Sequence, residues 1–155
     1  MSDLASRLSD YSVFAALSTD IVAEVAECAT EARFDEKVQV FTAGKDADTF
    51  YLIEQGRVAI SVEPPNRAPV TISTLGPGHV LGVSWILPPY RLTFDATTLT
   101  PTETVMIDAR RLREKCDNDP ELGYALYARF AGLIRHRLVA TRLRLLDLYR
   151  NVGQS

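Results

Sequence analysis

The spacing of apolar positions along the chain shifts from helical, to alternating, and back to helical. Ser18, Thr19 and Asp20 suit a helix N-terminus, and Ile21, Val25 and Cys28 follow at helical spacing. The segment STDIVAEVAECATEA is therefore expected to be a short amphipathic helix. Beyond Arg33 the period falls to about two. KVQVF, TFYLIEQ, RVAISV and PVTISTL are rich in β-branched and aromatic residues, and AGKDAD, QG, EPPNRA and GPGH break them, which predicts short strands joined by tight turns. An interruption at residues 81–96, LGVSWILPPYRLTFDA, is built as a glycine opening one short apolar helical turn, two prolines and an arginine. The alternation resumes in LTFDATTLT and ETVMID. About eight strands result, and folding them into a barrel or roll leaves no long edge exposed.

From about Pro120 to about Tyr149 the chain reads as one helix, preceded by a shorter one near ARRLREKC. At 1.5 Å per residue the last helix is roughly 45 Å long, longer than such a barrel is wide, so it cannot bury itself on its own domain. Leu122, Leu126, Phe130 and Leu133 form an early stripe expected to face the barrel. Ala131, Ile134, Leu138, Thr141, Leu145 and Leu148 alternate three and four apart, as a coiled-coil seam does. The seam is expected to face a second copy of the chain, a homodimer through Ile134, Leu138, Thr141, Leu145 and Leu148; packing on the chain's own strands is the alternative. Leu143, Leu146 and Tyr149 make the last turns apolar on more than one side, which favours burial against more than one partner helix.

At 155 residues the chain is long enough for one domain and an appendage. The expected divisions are residues 1–118 for the first helix and strands, 119–149 for the long helix, and 150–155 for a tail. No run approaches the roughly 20 apolar residues of a membrane helix. The N-terminus, MSDLASRLSD, lacks the basic segment and apolar core of a secretory signal, which predicts a cytoplasmic address. Cys28 and Cys116 lie outside any C-x-x-C and are expected to be reduced structural thiols. The net charge of -3 hides an asymmetry: from Arg129 to Arg150 the chain carries Arg129, Arg135, Arg137, Arg142, Arg144 and Arg150 against the single acid Asp147, and the rest of the chain is acidic. Without interleaved stacking aromatics, that helix is not expected to bind nucleic acid.

Catalytic readings lack their residues. A β-roll metalloenzyme needs two or three histidines and a carboxylate on neighbouring strands, and the chain has only His79 and His136. No G-x-S-x-G, Walker loop or H-E-x-x-H is present. Asp46 and Asp48 sit in a turn, where carboxylates usually bond to local backbone. No enzyme activity, metal or cofactor is expected.

A helical start, a strand-rich body interrupted by one phosphate turn, and a long closing helix together resemble the cyclic nucleotide-binding domain of the catabolite activator family. The likeness covers nearly the whole chain. Phe41, Gly44, Asp46, Asp48, Tyr51, Leu52, Ile53, Gly56 and Val58, in F-x-x-G-K-D-A-D-x-x-Y-L-I-x-x-G-x-V, look like that family's strand, turn and hairpin. The resemblance implies a mainly β fold with flanking helices: a double-stranded, jelly-roll-like β-roll followed by a long dimerisation helix. It also implies a phosphate cassette of glycine, glutamate, a few apolar residues, and an arginine followed by serine or threonine and alanine. Gly82 matches the glycine, so the amides of Val83, Ser84 and Trp85 would form an anion nest. Val83 stands where the glutamate would accept the ribose 2′-hydroxyl. Arg91 matches the phosphate-pairing arginine but comes a residue or two early and is followed by Leu92 and Thr93. On the long helix RLVATR resembles the segment that reaches over the purine, with Thr141 at the base-contacting threonine and Arg142 after it. Thr141 equally suits a small polar seam position, and Trp85 suits either a stacked base or the core.

Gly82, Val83, Ser84, Trp85, Arg91, Thr93, Thr141 and Arg142 are thus the candidate ligand-binding set, with cyclic AMP or cyclic GMP as the implied ligand. The family's activators continue into a helix-turn-helix; here NVGQS follows Tyr149, so sequence-specific DNA binding by that route is not expected. Two functions remain open: a non-catalytic dimeric sensor of a cyclic nucleotide or related phosphorylated ligand, or a degenerate domain that binds no nucleotide and serves as a dimeric protein-interaction platform.

Overall fold

The computed structural model describes residues 3–153, with side chains described through Arg150. Three short helices come first, α1 (Asp3–Leu8), α2 (Ser12–Ala15) and α3 (Thr19–Ala26). The strands are β1 (Ala29–Phe34), β2 (Gln39–Phe41), β3 (Thr49–Gln55), β4 (Val58–Val62), β5 (Val70–Leu75), β6 (Val80–Leu81), β7 (Asp95–Thr98) and β8 (Thr102–Asp108). A 3-10 turn at Ser84–Ile86 separates β6 from β7, and α4 (Ala109–Asn118) and α5 (Pro120–Gly153) close the chain. The strands form two four-stranded antiparallel sheets, ordered β1-β8-β3-β6 and β2-β7-β4-β5. This is the β-roll with flanking helices and a long final helix that the sequence predicts.

Ser18 caps α3 as expected, its Oγ accepting from the Ile21 amide at 3.3 Å. The helix stops at Ala26, however, and the end of the segment read as helical belongs to β1. Thr30, Glu31 and Ala32 pair with Met106, Val105 and Thr104 of β8, so sheet pairing overrides the weak helical preference of these residues. Helices α1 and α2, which the sequence reading did not anticipate, bury Leu8, Val13 and Phe14. At the other end α5 continues to Gly153, so residues 150–153 extend the helix instead of beginning a tail. Met1, Ser2, Gln154 and Ser155 lie outside the described residues. Among the described residues no helix is long and apolar enough to cross a membrane.

Strand β3 organises the core because it is buried on both faces: Phe50, Tyr51, Leu52 and Ile53 are all nearly inaccessible. Successive side chains of a strand point to opposite sides, and each side here has its own aromatic cluster. Phe50 stacks on Trp85 with ring centroids 4.9 Å apart and meets Phe130 of α5 edge-on at 5.4 Å. Trp85 and Phe130 close the triangle at 5.0 Å. On the opposite side Tyr51 contacts Phe34 at 5.5 Å and Phe41 at 5.6 Å. The early stripe of α5 packs on this body as expected, with Leu122, Leu126 and Phe130 buried and Leu133 partly so. Further along, Leu138, Leu143, Leu145, Leu146, Leu148 and Tyr149 are exposed in the single chain.

The N-terminal helices are tied to the same strand. The Tyr11 hydroxyl donates to the Ile53 carbonyl at 2.6 Å, and Arg7 pairs with Glu54 and Glu31.

Two outcomes follow from this packing. Phe130→Ala removes a ring shared by the sheet, the 3-10 turn and α5, and it should lower stability by about 3–5 kcal/mol in urea unfolding. Burial foremost, with the Glu54 charge, pushes the Tyr11 phenol up to about 12 from an ordinary value of 10.0. The fold therefore favours the neutral phenol, and that stabilisation is full below pH 10 and lost as pH rises through about 12. Unfolding midpoints measured across this window should fall less steeply in Tyr11→Phe than in the parent chain.

Candidate functional site

Strand β6 delivers the chain to Gly82, whose φ of +102° belongs to the region that favours glycine. A Cβ at this position would lie 2.9 Å from Cε2 of Phe41, so both the turn and the packing require its absence. Val83 follows at φ −128° and ψ −5°, and the 3-10 turn then begins. Among the described residues no acceptor bonds the backbone N–H groups of Val83, Ser84 or Trp85. Unpaired amides on successive residues are the raw material of an anion nest. The Trp85 ring is fully used in the core, 1 % exposed, with its Nε1 buried and without an acceptor. Its ring is therefore a packing element in this arrangement, unavailable for stacking on a base.

The far end of the cassette is stitched to the turn between β2 and β3. Gly44 N–H donates to the Leu92 carbonyl, Leu92 N–H to the Lys45 carbonyl and Ala47 N–H to the Tyr90 carbonyl, each at 2.8 Å. Asp46 and Arg91 thereby face each other as an antiparallel bridge. Leu92 is buried, so extended-chain alternation sends its neighbour Arg91 to the outside. There the Arg91 Nη1 donates to the Gly44 carbonyl at 3.1 Å, and its Nε lies 3.6 Å from Asp46 Oδ1, with the side chain 59 % exposed. The early register of this arginine thus has a structural consequence: its partners are the neighbouring turn. Thr93 is exposed, and Val83 is half-buried with its side chain against the core.

Two arginines absent from the sequence-based set hold positions around the cassette. Arg113 of α4 donates to the carbonyls of Ala47 and Trp85, each at 2.9 Å, and pairs with Asp48 at 3.6 Å. Its guanidinium also lies 4.5 Å from the centre of the Tyr90 ring. One side chain therefore fixes the 43–48 turn and the cassette to the same helix. Arg137 of α5 reaches the strand entering the cassette and donates to the Val80 carbonyl. Burial lowers its guanidinium from the ordinary range. Arg137 sits in the arginine-rich stretch that the sequence reading treated as a charge feature. Helical phase relative to Phe130, seven residues earlier on the same face, was the signal available to single it out.

The two α5 residues predicted from resemblance are placed differently. Thr141 Oγ1 donates to the Arg137 carbonyl at 2.9 Å, one turn back on its own helix, and both Thr141 and Arg142 are exposed. Arg144 crosses to β5, donating to the Ile72 carbonyl at 3.2 Å. His79 belongs to a turn, its Nδ1 accepting from the Gly76 amide at 3.1 Å. Cys28 and Cys116 are buried free thiols, and burial pushes that of Cys116 up to about 11. Two clefts of about 370 and 490 Å³ border α4, and neither is lined by residues 82–85.

Residues 31–119 match the model of the cyclic nucleotide-binding domain. The fold is similar to that of a protein from Geobacter metallireducens whose name assigns it to cyclic nucleotide binding, with 29 % identity, 89 % of this chain and 99 % of that chain covered, and a TM-score of 0.79. It is also similar to a cyclic nucleotide-binding domain from Methylobacillus flagellatus, at 21 % identity over 93 % of this chain and 81 % of that one, with a TM-score of 0.78; at this identity the likeness speaks to fold alone. Among curated proteins, glutaminase 2 of Bradyrhizobium diazoefficiens is 24 % identical over 138 residues, which are 89 % of this chain and 21 % of that protein. This chain thus spans about a fifth of the length of that relative. With the roll, the glycine-opened cassette and the matched family model together, the chain belongs to the cyclic nucleotide-binding domain family.

Proposed function

We propose that the chain is a non-catalytic regulatory sensor module: it takes a cyclic nucleotide or a related phosphorylated ligand at the cassette opened by Gly82 and signals through α5, which pairs with α5 of a second copy. The observation that carries this reading is the run of unpartnered amides at Val83, Ser84 and Trp85, held in place by a glycine with positive φ. An anion at that position would satisfy donors that otherwise lack partners. Signalling through α5 is supported by its shared packing with the cassette, since Phe130 touches Trp85 directly. Ligand acts as a switch only so far as it prefers one arrangement of the helix.

Dimer formation is supported by the exposed apolar residues Leu138, Leu145 and Leu148, which are 49 %, 50 % and 61 % accessible in the single chain. Their spacing continues the seam along the outer side of the helix. A second reading, a dimeric interaction platform that binds no nucleotide, is favoured by one observation: Arg91 is engaged by Asp46 and the Gly44 carbonyl on the surface.

Calorimetry with cyclic AMP, cyclic GMP and a cyclic dinucleotide separates the two readings. Binding to any of them supports the sensor, and silence from all three with an intact dimer supports the platform. The Val83 side chain adds a finer expectation, because it cannot accept a hydrogen bond from a ribose. A 2′-hydroxyl buried there would lack its partner at a cost of about 1–3 kcal/mol. 2′-Deoxy cyclic AMP should accordingly bind at least as tightly as cyclic AMP, and a preference of about tenfold for the ribose form would show that another group accepts the hydroxyl. For the dimer, Leu138→Asp should yield monomers by light scattering; an unchanged mass would place the contact elsewhere.

A further inference from the structure

Three partly buried cations among the described residues have a carboxylate against them. Arg7 has Glu54, Glu31 and Asp3; Arg113 has Asp48; Lys115 has Glu24 and Glu27. Arg137 has none among the described residues. Among the described residues its one side-chain hydrogen bond goes to the Val80 carbonyl, so most of the five N–H donors of its guanidinium have no protein partner. A partly desolvated charge answered only by one carbonyl dipole carries a cost, and an anion beside it would relieve that cost.

The location gives this vacancy of charge a meaning. Val80 is three residues before Val83, a span of at most about 10 Å of chain, so the guanidinium stands at the entry to the cassette. The arginine that family resemblance assigns to the phosphate, Arg91, is at the other end and turned to Asp46. From these placements we infer that Arg137 is the cation that neutralises an anion held at the cassette. The group it takes is a phosphate, the fork of the guanidinium donating to two of its oxygens. This rests on the ligand-binding reading above and changes where that site gets its charge: the phosphate is held between the cassette and α5, so its arrival is felt directly by the helix. Leu138, the next residue along, projects about 100° away around the helix, so one element presents the cation to the roll and apolar side chains to the outside.

Titration of the full chain with cyclic AMP, together with thermal melts in sodium phosphate against sodium chloride at equal ionic strength, tests this. Arg137→Gln should weaken cyclic AMP by about tenfold to a hundredfold and abolish the rise in melting temperature produced by phosphate. Arg91→Gln should cause no comparable loss of either. Arg137→Lys, which keeps the charge and loses the fork, should fall between parent and Arg137→Gln, a gradation that a purely structural clamp on Val80 would not produce in the ligand affinity. The inference is overturned if Arg91→Gln removes binding while Arg137→Gln retains it. The two readings part as follows. Cyclic AMP binding that survives Arg137→Gln sinks the role of Arg137 and leaves the sensor standing. A phosphate effect that depends on Arg137, with no heat from any cyclic nucleotide, upholds the anion site and sinks the cyclic nucleotide as its ligand. Absence of both effects in the parent chain sinks both.

Discussion

The contact on which the rest depends is the three-ring junction of Phe50, Trp85 and Phe130. These residues come from the central strand, the 3-10 turn of the cassette and the long helix, and their centroids lie 4.9 to 5.4 Å apart. Protein interiors pack about as densely as organic crystals, so none of the three rings can shift without the others yielding. The cassette is thus mechanically part of the helix packing. Under the proposed function, a ligand that adjusted Trp85 would push on Phe130, and a rotation of α5 would reach the turn carrying the free amides.

Electrostatics divides the molecule along the same lines. Arg7 and Arg113 hold structural positions, the first tying α1 to β1 and β3, the second tying α4 to the cassette and the 43–48 turn. Both charges are answered by carboxylates. Arg91 is also answered, though at the surface, where an exposed pair contributes little to stability. The arginine surplus of α5 is therefore the part of the charge pattern that no carboxylate answers among the described residues, and Arg137 is the member of it that reaches the strand entering the cassette.

The departures from the family cassette read differently once they are placed. Val83 contributes its side chain to the core margin and leaves its amide without an acceptor among the described residues, so a side chain that cannot accept a hydrogen bond does not disturb the turn. The shifted Arg91 is set by backbone pairing: bonds on both sides of it, at Tyr90 and Leu92, determine which way residue 91 must face.

Much of the architecture was legible from one dimension. The alternation of β-branched and aromatic residues located the strands, turn glycines and prolines bounded them, and the stripe of Leu122, Leu126 and Phe130 assigned the buried side of α5, because period and turn chemistry are local properties. Thr30 to Ala32 were misread as helix because their strand state comes from β8, more than seventy residues away. The candidate site was legible only as a location. Gly82 is determined by a backbone angle that the sequence advertises through glycine itself. Where Arg91 and Arg137 send their charge is a matter of which chains lie alongside them, and long flexible side chains carry no local pattern that says so. Hence the sequence by itself determined the roll, the cassette and the helix, whereas the tertiary structure alone decided which arginine reaches the strand entering the cassette, because that choice rests on contacts between segments far apart along the chain.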